Sequence, residues 1–147
     1  MFDPHDFLAF SNCLLNGNPL NQNEALFRSI ISRSYYSALL VTRETIDKKH
    51  IVRRPKKPSH QEIINKILRL PTNPNINQTQ LITLKINLEE LRNYRMSADY
   101  KFPNAEIEKS YYVDKKQLTK EFNPETKAYA EYVIKSAKRF IQQMDLI

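Results

Sequence analysis

Gly17 is the only glycine in the 147 residues of this chain. Average usage of about 7% would supply about ten. Folds that rely on positive-φ turns or on bare backbone amides are therefore closed to it. A P-loop or a GxGxxG dinucleotide turn needs several glycines within a few positions. The tight hairpins of sandwiches and barrels need glycine at their corners. What remains is an all-α domain whose turns are built from Pro, Asn, Asp and Ser. The length fits one domain, residues 1–147, around a single sizeable core.

Lys and Arg number 23 against 16 Asp and Glu, a net charge of +7. Such a balance suits a partner rich in phosphate, because each neutralised phosphate releases counterions. It equally suits plain solubility. Cys13 has no second cysteine to pair with and reads as buried packing on an apolar helix face. The first ten residues carry Asp3 and Asp6 where a signal peptide would be basic. No stretch nears the roughly eighteen apolar residues of a membrane span, so a cytoplasmic protein without membrane contact is expected. His5, His50 and His60 are scattered and none has a ligand partner at helical spacing. No metal site and no cofactor is expected, and there is no G-x-S-x-G nucleophile turn.

Caps and periodicity divide the chain into helices. Asp3-Pro4 starts the first, an N-cap followed by proline, with Phe7, Phe10 and Leu14 on one face, Leu8 and Leu15 beside them, and Asn16 to Pro19 as the stop. The second runs from about Asn23 to Lys49, its apolar face formed by Leu26, Ile30, Ile31, Ala38, Leu39, Val41 and Ile46. Ser59-His60-Gln61-Glu62 has capping-box spacing and opens a short third helix through Ile63, Ile64, Ile67 and Leu68. Pro71 to Asn77 is a turn. Leu81, Leu84, Leu88 and Leu91 make a stripe on a fourth helix from about Gln78 to Tyr100. Lys101 to Asn123 shows no clear period, and Asn123-Pro124-Glu125 opens a last helix through Ala130, Val133, Ala137, Phe140, Ile141 and Met144. The sum is an up-and-down bundle of four to five helices.

Two segments carry more than core. In Arg28 to Leu39, the small residues Ser34, Ser37 and Ala38 permit close approach of another helix. Tyr35 and Tyr36 point about 100° apart, so at least one belongs in the core. In Leu88 to Tyr100, Arg92, Arg95 and Asp99 recur at three- and four-residue spacing and share a face. An Arg95–Asp99 pair is also ordinary helix chemistry, worth a few tenths of a kcal/mol.

Taken together, R-x-YY-x-A on the second helix, Ser-His opening the third and L-R-x-x-R-x-x-A-D-Y on the fourth resemble the HEPN family. The likeness is to its small stand-alone prokaryotic members and covers nearly the whole chain. It implies a helical bundle that dimerises and, in many members, a metal-independent endoribonuclease of toxin–antitoxin or phage-defence systems. In the active members an arginine neutralises the scissile phosphate and a histidine four to six residues later moves protons, two copies forming one site. Carried onto this sequence, the motif residues are Arg92, Arg95, Asp99 and Tyr100, with the arginines as phosphate clamp and Asp99 and Tyr100 orienting substrate or assisting proton transfer.

The sequence departs from that pattern at its centre. Ala98 stands where the histidine belongs, and no histidine follows His60. Alanine is no base, and a tyrosine with pKa about 10 is a poor one. His60 lies on another helix, where its place beside the capping serine accounts for it. The departure leaves two functions open: a ribonuclease, or a non-catalytic relative that binds RNA, a nucleotide or a partner protein as a subunit or adaptor. A second candidate surface is basic: Lys48, Lys49, Arg53, Arg54, Lys56 and Lys57 lie within ten residues without an acid, and Arg33 is counted with them as an RNA contact. The partners expected are RNA or a nucleotide, a second copy of the chain, and an antitoxin or defence-complex protein.

Overall fold

The computed structural model describes residues 3–17, 24–49, 58–100 and 127–147, the side chains of Glu24, Ala25 and Tyr100 excepted. Five α-helices account for most of them: α1 (Pro4–Gly17), α2 (Glu24–Lys48), α3 (His60–Lys66), α4 (Gln78–Tyr100) and α5 (Lys127–Met144). A 3-10 turn, Ile67–Arg69, extends α3. Among the described residues the only β pairing is an isolated bridge between Asn73 and Ile76. The fold is an all-α, up-and-down bundle.

Capping sets where the helices begin. Asp3 accepts the backbone N–H of His5 at 2.9 Å, as an N-cap should. Ser59 Oγ accepts from the Glu62 N–H at 3.1 Å while Glu62 Oε2 accepts from the Ser59 N–H at 2.9 Å, completing the expected capping box. A second reciprocal pair, absent from the sequence reading, opens α4. Asn77 Oδ1 accepts from the Gln80 N–H at 2.9 Å and Gln80 Oε1 from the Asn77 N–H at 2.7 Å. The preceding turn closes on Asn73, whose side chain accepts from the amides of Asn75 and Ile76.

α2 lies at the centre, packed on α1, α4 and α5. Its small residues do what their size allows: Ser34, Ser37 and Ala38 are fully buried. Ser37 Oγ donates to the Pro4 carbonyl at 2.7 Å, drawing α1 close and antiparallel. α4 is antiparallel to α5: Tyr94 meets Tyr129 and Tyr132 near the start of α5, and Asn73, just ahead of α4, donates to the Leu146 carbonyl. Leu81, Leu84, Leu88 and Leu91 are all buried as expected, as is the apolar face of α5.

α1 corrects the sequence reading. Its buried stripe is Leu8, Ser11 and Leu15, not Phe7, Phe10 and Leu14; Phe10 is 46% exposed. Cys13, expected in the core, is exposed. The cause is a rotation of the helix. Burying the small Ser11 lets the backbone of α1 approach its neighbours more closely than burying Phe10 would, and Cys13 then lies about 200° from Ser11. On α2, Leu26 packs against the core but is only partly buried, while Phe27 takes the deeper place. The expected start of the last helix at Asn123 and the region from Lys101 to Asn123 lie outside the described residues.

Candidate functional site

Core packing on α4 decides which way its arginines face. Each buried leucine of the stripe is worth about 1.5–3 kcal/mol, against a few tenths for a surface ion pair. The stripe therefore fixes the helix rotation. Arg92 follows Leu88 by four residues and Arg95 follows Leu91 by four, so each lies about 40° from the stripe, at the border between core and solvent. Both are partly buried, on the side facing α2 and α3.

Each guanidinium is held from another helix. Arg92 NH1 donates to Gln61 Oε1 of α3 at 2.6 Å. Arg95 NH2 donates to the Tyr36 hydroxyl of α2 at 2.9 Å and lies over its ring, 5.3 Å from the centroid. Arg95 Nε forms the expected ion pair with Asp99 Oδ2 at 2.7 Å. Asp99 Oδ2 also receives Ser32 Oγ at 3.4 Å, a long contact across to α2. Arg28 NH1 donates to the carbonyls of Ser97 and Ala98, closing the last turn of α4.

Into this arrangement α3 brings His60. The capping box holds the start of α3 through Ser59 and Glu62; it does not account for the His60 ring, which packs against α2. The ring packs 5.7 Å from the Tyr35 ring and edge-on to Tyr36 at 5.8 Å. His60 Nδ1 and the Tyr35 hydroxyl are 3.0 Å apart. Tyr35 is fully buried, and burial pushes its phenol far above the ordinary range, so it keeps its proton. That proton requires an acceptor, and among the described residues His60 Nδ1 is the one in contact. The neutral imidazole therefore carries its hydrogen on Nε2. Burial first, and then the charges of Arg95 and Arg92, hold the ring below the usual histidine value. The junction of α2, α3 and α4 thus gathers two guanidiniums and an imidazole, groups suited to an anion.

The sequence-expected residues divide accordingly. Arg92, Arg95 and Asp99 come together with Tyr36, Ser32 and Gln61. Of Tyr100 only the backbone is described, at the end of α4. Arg33 lies on the neighbouring face of α2, its guanidinium 4.9 Å from the Phe10 ring centroid and 5.9 Å from that of Phe7. Lys48 and Lys49 are exposed, but twelve or more residues beyond Tyr36, about 18 Å along α2. They border a hollow with Thr45, Met144, Asp145 and Ile147 at the far end of the bundle. Arg53, Arg54, Lys56 and Lys57 lie outside the described residues. The residue that sequence reasoning did not group with the arginines is His60. Its one local signal was the capping box, which pins the first turn of α3; pairing it with Arg92 and Arg95 needs the α3–α4 packing.

The described residues thus make a helical bundle with a cluster of Arg92, Arg95 and His60 where α2, α3 and α4 meet. Comparison with protein-family models, with curated proteins and with solved structures finds no match to the chain. Among the described residues no three His, Cys, Asp or Glu side chains gather where a metal ion could sit. No described helix is long and apolar enough to cross a membrane.

Proposed function

We propose that this chain is a HEPN-type, RNA-targeting protein that binds the phosphodiester backbone at Arg92 and Arg95 and cleaves it without a metal, with His60 as the proton donor. The observation that carries this reading is the convergence of two guanidiniums from α4 and one imidazole from α3. The arginines neutralise the phosphate and stabilise the charge that builds as phosphorus becomes five-coordinate. The ribose 2′-OH attacks phosphorus and yields its proton to water. The bond from phosphorus to the 5′-oxygen breaks, and that oxygen takes a proton from the His60 imidazolium. The products are a 2′,3′-cyclic phosphate and a 5′-hydroxyl, and His60 regains its proton from solvent. Dependence on the 2′-OH restricts the reaction to RNA.

A bound phosphate also loads the acid. In the free protein the arginine charges disfavour imidazolium; an anion between them offsets that field and raises the affinity of His60 for its proton. Asp99 keeps Arg95 oriented, and Tyr35 fixes the tautomer of His60. The same reading makes the protein a cytoplasmic homodimer of a prokaryotic toxin–antitoxin or phage-defence system, with an antitoxin or defence protein as partner.

A second reading, RNA binding without cleavage as a subunit or adaptor, is favoured by one contact. Tyr35 occupies Nδ1, so the neutral ring offers no lone pair for abstracting the 2′-OH proton. Incubation with total RNA in EDTA separates the two. Cleavage that persists with the chelator and disappears in both Arg95→Ala and His60→Gln supports the enzyme. Intact RNA with salt-sensitive binding supports the adaptor, and absence of RNA binding at low salt rejects both. Sedimentation at micromolar concentration tests the dimer.

A further inference from the structure

An open pocket of about 460 Å³ adjoins the cluster on the other side of Tyr36, lined by residues of α1, α2 and the end of α4. Phe7, Arg28, Arg33, Tyr36, Ser32 and Asp99 give it its chemistry. Its size lies in the range of small-molecule sites. Phe7 and Tyr36 are aromatic walls. Arg33, lying over Phe7 and Phe10, adds a planar guanidinium. Such surfaces suit a flat ring.

The carboxylate in the lining decides which ring. Asp99 brings a carboxylate into the pocket, and both its contacts, Arg95 Nε and Ser32 Oγ, fall on Oδ2. An ionised carboxylate only accepts hydrogen bonds and has about four lone-pair sites, so these two contacts orient it without exhausting it. Arg28, whose NH1 is taken by the carbonyls of Ser97 and Ala98, and Arg33 offset its charge. The carboxylate therefore selects by its hydrogen bonds and not by the net charge of the pocket. A neutral group with two adjacent N–H donors would match it. Of the four RNA bases, guanine alone presents adjacent donors on its Watson–Crick edge, N1–H and N2–H. Adenine and cytosine set a ring acceptor beside one amino donor, and uracil sets a carbonyl on each side of N3–H. Each would direct an acceptor lone pair at the carboxylate.

The pocket and the phosphate cluster also share a partition. Tyr36 and Asp99 line the pocket, and both hold Arg95, which faces the cluster. We infer that this pocket is a guanine subsite, in which Asp99 accepts from the Watson–Crick edge while Phe7 and Tyr36 enclose the ring and the attached phosphate reaches Arg95. The phosphate part rests on the reading of the cluster given above; base recognition by Asp99 does not require it.

The test is a chemical-shift titration of the full chain with the four nucleosides and, separately, with inorganic phosphate. Guanosine is expected to bind about tenfold or more tighter than adenosine, cytidine and uridine, the discrimination of a good bidentate contact, with shifts at Phe7 and Ser32. Asp99→Asn is expected to bring the four within about twofold, and Phe7→Ala to weaken all four alike. Equal binding of the four nucleosides, preference for another base, or no nucleoside binding overturns the guanine subsite. Inorganic phosphate reports on the cluster alone, through loss of its binding in Arg92→Ala. Guanosine preference without phosphate binding keeps the subsite and rejects the cluster as a phosphate site.

Discussion

His5 and His60 occupy opposite ends of the electrostatic range that this bundle offers. His5 sits at the start of α1 between carboxylates, Nδ1 2.8 Å from Asp3 Oδ1 and Nε2 3.5 Å from Asp145 Oδ2. The hydrogen bond that the ring donates to Asp3, aided by Asp145, raises its pKa. His60 sits between a buried phenol and two arginines, and burial together with Arg95 and Arg92 lowers its pKa. The first environment supplies the histidine with its counter-ion from within the chain. The second withholds one. Asp99 pairs with Arg95, while Arg92 donates to the neutral Gln61, so two guanidiniums meet one carboxylate. That excess of positive charge suits an anion from outside and singles out the junction of α2, α3 and α4.

The largest test of this contrast is catalytic. His60→Gln should lower RNA cleavage by about 100-fold or more while RNA affinity stays within about threefold. His5→Gln should change neither, as read by cleavage in EDTA and by fluorescence anisotropy. Equal loss of binding and cleavage in the His60 variant would make the ring a contact and not an acid. Next in size is Arg95→Ala, expected to weaken RNA binding about tenfold, as loss of a charge-assisted hydrogen bond does, and to reduce the salt slope by about one. An unchanged salt slope would remove Arg95 from the phosphate site.

Smaller effects sharpen the comparison through stability. Tyr35→Phe removes the hydrogen bond to Nδ1 and should cost about 1 kcal/mol in chemical denaturation. The same variant should raise the pKa of His60, because the phenol O–H stabilises the neutral ring. Ser59→Ala should cost about 1 kcal/mol through loss of the cap. The smallest effect, and the most direct, is titration of the two rings by NMR. Above the unfolded value of about 6.5 the lowered His60 contributes its full share to stability, which is lost as pH falls through its folded pKa. For the raised His5 the share is full below about 6.5 and is lost as pH rises through its folded pKa. Asp145→Asn should lower the His5 value and leave His60 in place. Identical titration of the two rings would end the comparison.

Sequence pattern made most of the framework legible. The leucine stripe of α4, the capping box of α3 and the apolar face of α5 are local signals, each contained in a few turns, and each has its expected counterpart in the fold. α1 shows the limit. Its phenylalanines look like core by hydrophobicity, yet Ser11 is buried and Phe10 is not, because the small Ser11 permits a closer backbone approach than bulk would. Periodicity measures apolar character and carries no information about the partner's relief. The candidate site divides in the same way. Arg92, Arg95 and Asp99 share a helix face and could be grouped by counting. Tyr36, Ser32 and Gln61 join them from other helices, and no spacing rule links positions some thirty to seventy residues apart.

A single glycine, a helix-period pattern and a surplus of cations were enough to determine an all-α bundle, and to require that any phosphate be held by side chains and not by backbone amides. They also placed two arginines on one face of a long helix. Only the tertiary structure decided what stands opposite that face. It set His60 against the arginines and placed Lys48 and Lys49 beside Met144, Asp145 and Ile147. The reason is that helix rotation and pairing are set by burial worth several kcal/mol along the leucine and serine seams, whereas charges at the border are carried wherever that packing leaves them.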